Sequence, residues 1–423
     1  MPGSAERTRV PYNLRAMKIA VVVGRFPVVS EQFIVNHIAG LIESGHDVTI
    51  VSGFRGNYEM QDGNTDRFRM RDRTLYVGIP SNPIARSIVY GVYFFLTLLS
   101  HPRVALSGLR YRRYRTAVIN GKAIYFYRRL RGMRFDLIHC HFGANGLVGA
   151  FLKDAGITEK LIVTFHGSDI NTYPRRYGVD VYKEMYHVVD AITCNTRFTA
   201  DKVVANGARP ETIHIVPVGL DTRNFPVRSD TRDSSRFVLL TVGRMVEKKG
   251  HRYVMLAISS LLESIPNIEY RILGDGPLRT ELEDLSRELG LSNHCTFLGA
   301  RVGEEVVREY QTCDLFVLAS VTASSGDMEG QGLVLQEAQS MGVPVISTVH
   351  NGIPDGVVDG VTGLLVPERD AHALADAIQS LHDDRTRMSE MGREGARFVR
   401  EKYDIRIIRR TIDDLYGHVL TQS

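Results

Sequence analysis

Short, nearly all-apolar runs recur along the chain, each followed by a turn rich in glycine or polar residues and then by a longer segment with helical spacing. Such runs suit strands buried on both faces of a parallel sheet. The first is 18–23 (KIAVVV). After the turn GRFPVVSEQF the spacing predicts a helix over about 31–44, with Ser30 as N-cap and Gly45 as its stop. Ile34, Val35, Ile38, Leu41 and Ile42 form the buried face. Residues 47–52 (DVTIVS) complete a strand–helix–strand unit. Residues 135–140, 160–165, 191–194 and 213–216 read as further strands.

Residues 222–236 are polar and charged, and after them the pattern restarts. Strands are predicted at 237–242, 270–273, 295–298, 314–319, 343–347 and 363–366, with helices over 253–262, 278–289, 371–382, 388–400 and about 405–420. The chain therefore divides into a mobile tail (1–16), a first domain (17–222), a linker (223–236), a second domain (237–400) and a C-terminal segment (401–423) whose helix crosses back to the first domain. The fold class is α/β, two Rossmann-like doubly wound domains facing a cleft. Residues 53–85 read as loop. The apolar run 88–99 precedes RYRRYR at 110–115. Two readings stand: a core helix followed by a solvated one, or a monotopic contact with an anionic membrane. At twelve residues the run falls short of the roughly 20 needed to span a bilayer, so no spanning helix is expected.

At 423 residues two or three domains are expected. Hydrophobic content of 43% and charged content of 24% are those of an ordinary globular protein, and a net charge of +4 argues against nucleic acid as the main partner. Cys140, Cys194, Cys295 and Cys313 are scattered without metal-ligand spacing, as expected of reduced, buried thiols in a cytoplasmic protein. The first sixteen residues lack an apolar stretch of signal-peptide length.

Candidate chemistry centres on residues 326–337, GDMEGQGLVLQE. Glu329 falls in a loop and Glu337 more than a turn into the following helix, with Gly330 and Gly332 between them. Glycines at a helix start open its free N–H groups to an anion, phosphate above all. Flanking carboxylates suit sugar hydroxyls, which donate hydrogen bonds. A phosphate between two polyols describes a nucleotide-sugar, although two glutamates eight apart also arise by accident. Arg244 and Lys249 flank the turn after strand 237–242 and suit a diphosphate. With no D-x-D pair to hold magnesium, no metal is expected. His166, in the turn HGSD after strand 160–165, stands where doubly wound folds gather ligands.

Taken together, VGRMVEKKGH at 242–251, GDGPLRTELE at 274–283, EGQGLVLQEAQSMGVPVIST at 329–348 and NGIPDGV followed by DGVTGLLVP resemble the retaining GT-B glycosyltransferases of family 4. The stretch FPVVSEQFIVNHIAGLIESGHDV resembles the subset that builds bacterial exopolysaccharides of the colanic-acid type. The resemblance implies a nucleotide-diphosphate sugar donor, a glycan or lipid-linked acceptor and no cofactor. It implies that Arg244 and Lys249 neutralise the departing diphosphate, that Glu329 holds the donor sugar and that Glu337 binds the ribose. Backbone N–H groups at Leu333 and Val334 would meet the phosphates, with Gly243, Gly330 and Gly332 beside them. His166 would contact the sugar or the reaction centre, Gly276 would admit the nucleobase, and Gly24 would border the acceptor side. Gly24-Arg25-Phe26-Pro27 departs from the multiple glycines common after the first strand, and Arg25 would narrow that loop or meet the acceptor. Rival readings are a sugar-nucleotide epimerase or hydrolase of the same fold, a nicotinamide dehydrogenase (which the missing G-x-G-x-x-G disfavours) and a catalytically silent glycan-binding scaffold.

Overall fold

The computed structural model describes residues 16–58, 63–119, 121–228 and 235–422. Apart from Ala16, the expected N-terminal tail lies outside these, as does the middle of the expected linker. The first sheet contains Lys18–Phe26 (β1), Asp47–Arg55 (β2), Thr74–Tyr76 (β3), Phe135–His141 (β4), Thr158–Phe165 (β5), Ala191–Cys194 (β6) and Ile213–Ile215 (β7). The second contains Phe237–Val242 (β8), Ile268–Leu273 (β9), Cys295–Gly299 (β10), Leu315–Leu318 (β11), Val345–Thr348 (β12) and Gly363–Val366 (β13). Their orders, β3-β2-β1-β4-β5-β6-β7 and β10-β9-β8-β11-β12-β13, both reverse direction beside the first strand of the sheet. Named strand pairs are parallel throughout, for instance Val21 opposite Ile50 and His139. In such sheets the crevice at the reversal, outside the carboxyl ends of the strands, is where ligands bind.

Burial follows the strand period of two. Ala20 and Val22 pack on one face with Phe126 and Leu147, while Ile19, Val21 and Val23 pack on the other with Ile34 and Ile38. That second face also takes Leu415, Tyr416 and Val419 from the last helix, Ile405–Thr421. The chain thus crosses between domains twice, and the two crossings are joined to each other. Leu220 N–H donates to the Tyr403 carbonyl at 2.8 Å, and Ile405 N–H donates to the Leu220 carbonyl at 2.9 Å.

Three segments differ from the sequence reading. β1 runs on to Phe26, because Arg25 and Phe26 pair with Phe54 and Arg55. Residues 53–85 are not simply loop: they hold the end of β2, the short helix Asn64–Arg67 and the edge strand β3, too brief to leave an apolar signature. The apolar run lies in an 18-residue helix, Pro83–Ser100, started by the Asn82 side chain accepting from Ile84 and Ala85 N–H. Its length and composition reach what a bilayer crossing needs, unlike the twelve-residue run, yet it is no core helix. Val89, Tyr90, Tyr93 and Phe94 pack on the first domain, whereas Ile88 is 63% and Leu99 69% exposed.

Asp404 anchors the second crossing. Its buried carboxylate accepts from the Thr222 hydroxyl at 2.5 Å, from Arg406 N–H at 2.9 Å as an N-cap, and from the Arg406 guanidinium. Burial works to raise its carboxyl, but these donors outweigh it and hold the pKa at about 2. A carboxyl lowered on folding adds stability above its unfolded pKa of about 3.9, and that stability is lost as pH falls through the folded value. Asp404→Ala should therefore cost about 2 kcal/mol at neutral pH. In urea titrations the gap to wild type should close as pH drops from about 4 toward 2.

Candidate active site in the interdomain cleft

The residues singled out from the sequence sit on the turns after β5, β8, β9 and β11, and these turns converge. The loop after β11 reaches the other domain: a Cβ on Gly330 would lie 3.7 Å from the His166 carbonyl oxygen. A cavity of about 340 Å³ opens between them, bordered by Ser30, Glu31, His166, Lys248, Gly330 and Asn351.

Lys249 lies over Gly243, whose φ of +155° and lack of a side chain leave room for the lysine stem at 3.1 Å from where a Cβ would be. Its ammonium pairs with Glu329 at 2.8 Å, and the two side chains are only 12% and 14% exposed. Burial would raise the Glu329 carboxyl; Lys249, helped by Lys248 and His350, more than offsets it and holds the carboxyl below its ordinary range. Arg244 is exposed beside them and makes no ion pair among the described residues. Gly332 takes the left-handed conformation, φ +72°, and starts the helix Leu333–Ser340. The first N–H groups of that helix, including those of Leu333 and Val334, have no carbonyl one turn earlier to bond and are open to an anion. Glu337, one turn in, accepts from the Tyr310 hydroxyl at 2.9 Å; burial pushes its carboxyl up against the pull of Tyr310 and Lys249.

Two residues fall elsewhere. Gly24 is inside β1, beside Asn145, and does not border the cavity. Arg25 turns to β2, donating to the Arg55 carbonyl at 2.9 Å and covering Phe54. Gly276 has an internal reason to be glycine, since a Cβ there would sit 2.5 Å from the Met245 carbonyl oxygen.

Several residues of the site carry no signal of their own in the sequence. Asp169, buried in the turn after β5, accepts from the N–H groups of His166, Gly167 and Gly143, each at 3.0 Å, and so holds the His166 turn against the neighbouring one. Burial pushes its carboxyl up to about 6 despite those N–H groups. His350 accepts from Glu329 N–H on Nε2 at 3.1 Å, which leaves its proton on Nδ1 to donate to Glu368 at 2.6 Å. Asn351 donates to the Glu329 carbonyl. Gln331 clamps the first crossing: its Oε1 accepts from Val218 N–H at 2.8 Å and its Nε2 donates to the Val218 carbonyl at 3.0 Å. A close look at HGSD would have found Asp169, a short acid placed to accept from a tight turn. Nothing at the level of spacing links His350 to Glu368 or Gln331 to Val218.

Comparison with known proteins places the chain. Residues 225–398 match the family Glycosyl transferases group 1, and residues 30–224 match Glycosyltransferase Family 4. The chain is 30% identical over 365 residues to WcaL of Salmonella typhimurium, named as a colanic acid biosynthesis glycosyltransferase, covering 85% of this chain and 89% of that one. It is 29% identical over 368 residues to the amylovoran biosynthesis glycosyltransferase AmsK of Erwinia amylovora, with the same coverage. Anabaena Alr3699/HepE, solved with UDP and glucose, shares the fold with a TM-score of 0.69 and 18% identity, over 95% of this chain and all of that one.

The charges predict opposite effects of two neighbouring substitutions on anion binding. In calorimetric titration with inorganic pyrophosphate, Lys249→Met should weaken binding by about tenfold or more, the value of one charge-assisted contact. Glu329→Gln removes a carboxylate from the ammonium's side and should leave binding unchanged or severalfold tighter.

Proposed function

The chain belongs to the group 1, family 4 glycosyltransferases of GT-B fold, and from that premise we propose that it moves a hexose from a nucleoside-diphosphate sugar to a glycan or lipid-linked acceptor, retaining the anomeric configuration, in exopolysaccharide biosynthesis. The observation that carries this reading is the buried Lys249–Glu329 pair just before the Leu333–Ser340 helix, on a loop whose Gly330 approaches the His166 backbone across the cleft. A fixed ammonium, the exposed Arg244 guanidinium and helix N–H groups form a preorganised receptacle for diphosphate charge. Cations in this position do the work that a metal does elsewhere, so no metal is required. Glu329, held ionised, is an acceptor for donor-sugar hydroxyls, and Glu337 for those of the ribose.

In the step proposed, the bond from the anomeric carbon to the diphosphate oxygen breaks as the acceptor oxygen bonds to the same face. The acceptor's proton passes to the departing phosphate oxygen. A double displacement would need a carboxylate on the opposite face of the sugar, and the residues identified here do not supply one. The names of the relatives support the exopolysaccharide role, and the UDP bound by Alr3699/HepE makes UDP-sugars the first donors to try.

The acceptor side points to a membrane surface. Between Asp72 and Asp136 the sequence has twelve arginines and lysines and no acid. In the same region Ile84, Ile88, Val92, Phe95 and Leu99 form an exposed apolar stripe along the Pro83–Ser100 helix, extended by Leu106, Leu109 and Tyr111. A helix of 18 residues is about 27 Å long, and laid flat it offers an apolar face within a basic segment, a combination suited to anionic lipid.

Two measurements test these readings. A thermal-shift panel of UDP, GDP, ADP, CMP and NAD should give a shift with one nucleoside diphosphate and none with NAD. Glu329→Gln should keep that shift while lowering kcat for transfer by about a hundredfold or more, the usual weight of a residue acting in the transition state; equal losses in binding and turnover would remove Glu329 from that role. Sedimentation at low salt with phosphatidylglycerol-containing vesicles should carry down the wild type. The pair Phe95→Glu and Leu99→Glu should stay in the supernatant, and a wild type that does not sediment overturns the membrane reading.

A further inference from the structure

Behind His166 the first domain contains a feature that the transfer reading does not use, an unbroken line of hydrogen bonds through four histidines. His166 Nε2 meets His141 Nδ1 at 3.0 Å, and His141 Nε2 meets His37 Nδ1 at 2.8 Å. His37 Nε2 meets the Tyr416 hydroxyl at 3.2 Å, which meets His139 Nδ1 at 2.5 Å. His139 Nε2 meets the Thr164 hydroxyl at 2.6 Å, and Thr164 meets the Thr193 hydroxyl at 2.5 Å. The members come from the helix Gln32–Glu43, β4, β5 and the turn after it, β6 and the last helix, Ile405–Thr421. All but His166 are buried.

Burial lowers the pKa of each of the four imidazoles, His37 to about 4 and His166 to about 3, with Asp413 of the last helix opposing this only at His37. All four are therefore neutral at neutral pH, each with one N–H and one lone pair. In a line of neutral groups a reversal at an imidazole sets two protons or two lone pairs against each other, and a reversal at a hydroxyl leaves its own buried O–H unpaired, so the bonds are all satisfied only when they point the same way. The direction follows from the far end. The buried Thr193 side chain has no hydrogen-bond partner but Thr164 among the described residues, and a buried O–H left unpaired is costly. Thr193 thus donates to Thr164, Thr164 to His139 Nε2, His139 Nδ1–H to Tyr416, Tyr416 to His37 Nε2, His37 Nδ1–H to His141 Nε2, and His141 Nδ1–H to His166 Nε2. His166 then carries its single proton on Nδ1, which has no protein partner among the described residues, and its ring borders the interdomain cavity.

We propose that Tyr416, His139, His37 and His141 are positioning residues that preset His166 as the Nδ1–H tautomer, a neutral hydrogen-bond donor for an oxygen of the sugar bound in the cleft. The sugar as its partner rests on the transfer reading above; the tautomer does not. A preset donor spends no free energy on choosing its proton position when the ligand arrives. Tyr416 is the member contributed by the last helix, so the chain's return crossing reaches the cleft through this line.

The experiment is a long-range proton–nitrogen correlation spectrum of the full chain labelled with ring-15N histidine, without ligand, the His166 signals being assigned by their loss in His166→Gln. The expected result is a His166 ring protonated on Nδ1 and bare on Nε2. In Tyr416→Phe, which removes one oxygen from the middle of the line, the His166 ring nitrogens should move toward averaged values as both directions become populated. The variant's kcat for transfer should drop by about tenfold with KM for the donor within about twofold, a loss confined to the reacting state. A wild-type His166 protonated on Nε2 overturns the proposal, and this arm requires no variant beyond the assignment. So does a Tyr416→Phe protein with wild-type tautomer and kcat. Failure to transfer any sugar, with the Nδ1–H spectrum intact, would count against the transfer reading alone.

Discussion

The joint at which the chain crosses between its domains governs the rest of the molecule. Leu220, on the way out of the first domain, donates to the Tyr403 carbonyl and accepts from Ile405 N–H on the way back, so its two backbone bonds bracket Asp404. Two independently cored α/β units would otherwise be tied by one strand of chain, free to take many relative orientations at little cost. A double crossing, pinned by a buried carboxylate with three donors, narrows that range. The site exists only because of this restriction: His166 belongs to one sheet, and Glu329, Lys249 and Arg244 belong to the other.

The local physics of the site is a balance of buried charges. Glu329 and Lys249 are each costly to bury alone, and each makes the other tolerable. Lys248 adds to the positive side around Glu329, so the site is biased toward an anion before any ligand arrives. His350 is in turn fixed by Glu368, so the carboxylate is held through its backbone as well as its side chain. Glu337, by contrast, is pushed toward its protonated form, and accepting from Tyr310 partly restores it. Two glutamates of one motif thus have different electrical characters, and the difference arises from neighbours far away in sequence.

This is also where legibility in the sequence ended. Strand and helix order could be read because buried parallel strands leave apolar runs, as at 18–23 and 237–242, and the motif 326–337 could be read because glycine and carboxylate chemistry is local. β3 could not, since three half-buried residues at a sheet edge carry no pattern. The Pro83–Ser100 helix was legible as apolar but not as exposed, because composition does not say which face the domain covers. The roles of Gln331 and Tyr416 were illegible for one shared reason: each acts on a group brought near it by folding rather than by spacing.

Gln331 gives the loop after β11 a second role. Its side-chain amide holds both backbone groups of Val218, on the first crossing, while its own chain neighbours are Gly330 and Gly332. Any swing of the domains that moves Val218 must either break both bonds or drag the loop with it. The loop after β11 and the first crossing are thus one mechanical part, and the loop follows the angle of the cleft. A change in the angle of the cleft would reshape the loop, and whatever fixes the loop would favour one angle. Loop shape and cleft angle then cease to be separate quantities, and the Gln331 amide is one of the links between them, beside the Arg197 N–H that donates to Asp355 of the other domain at 2.5 Å.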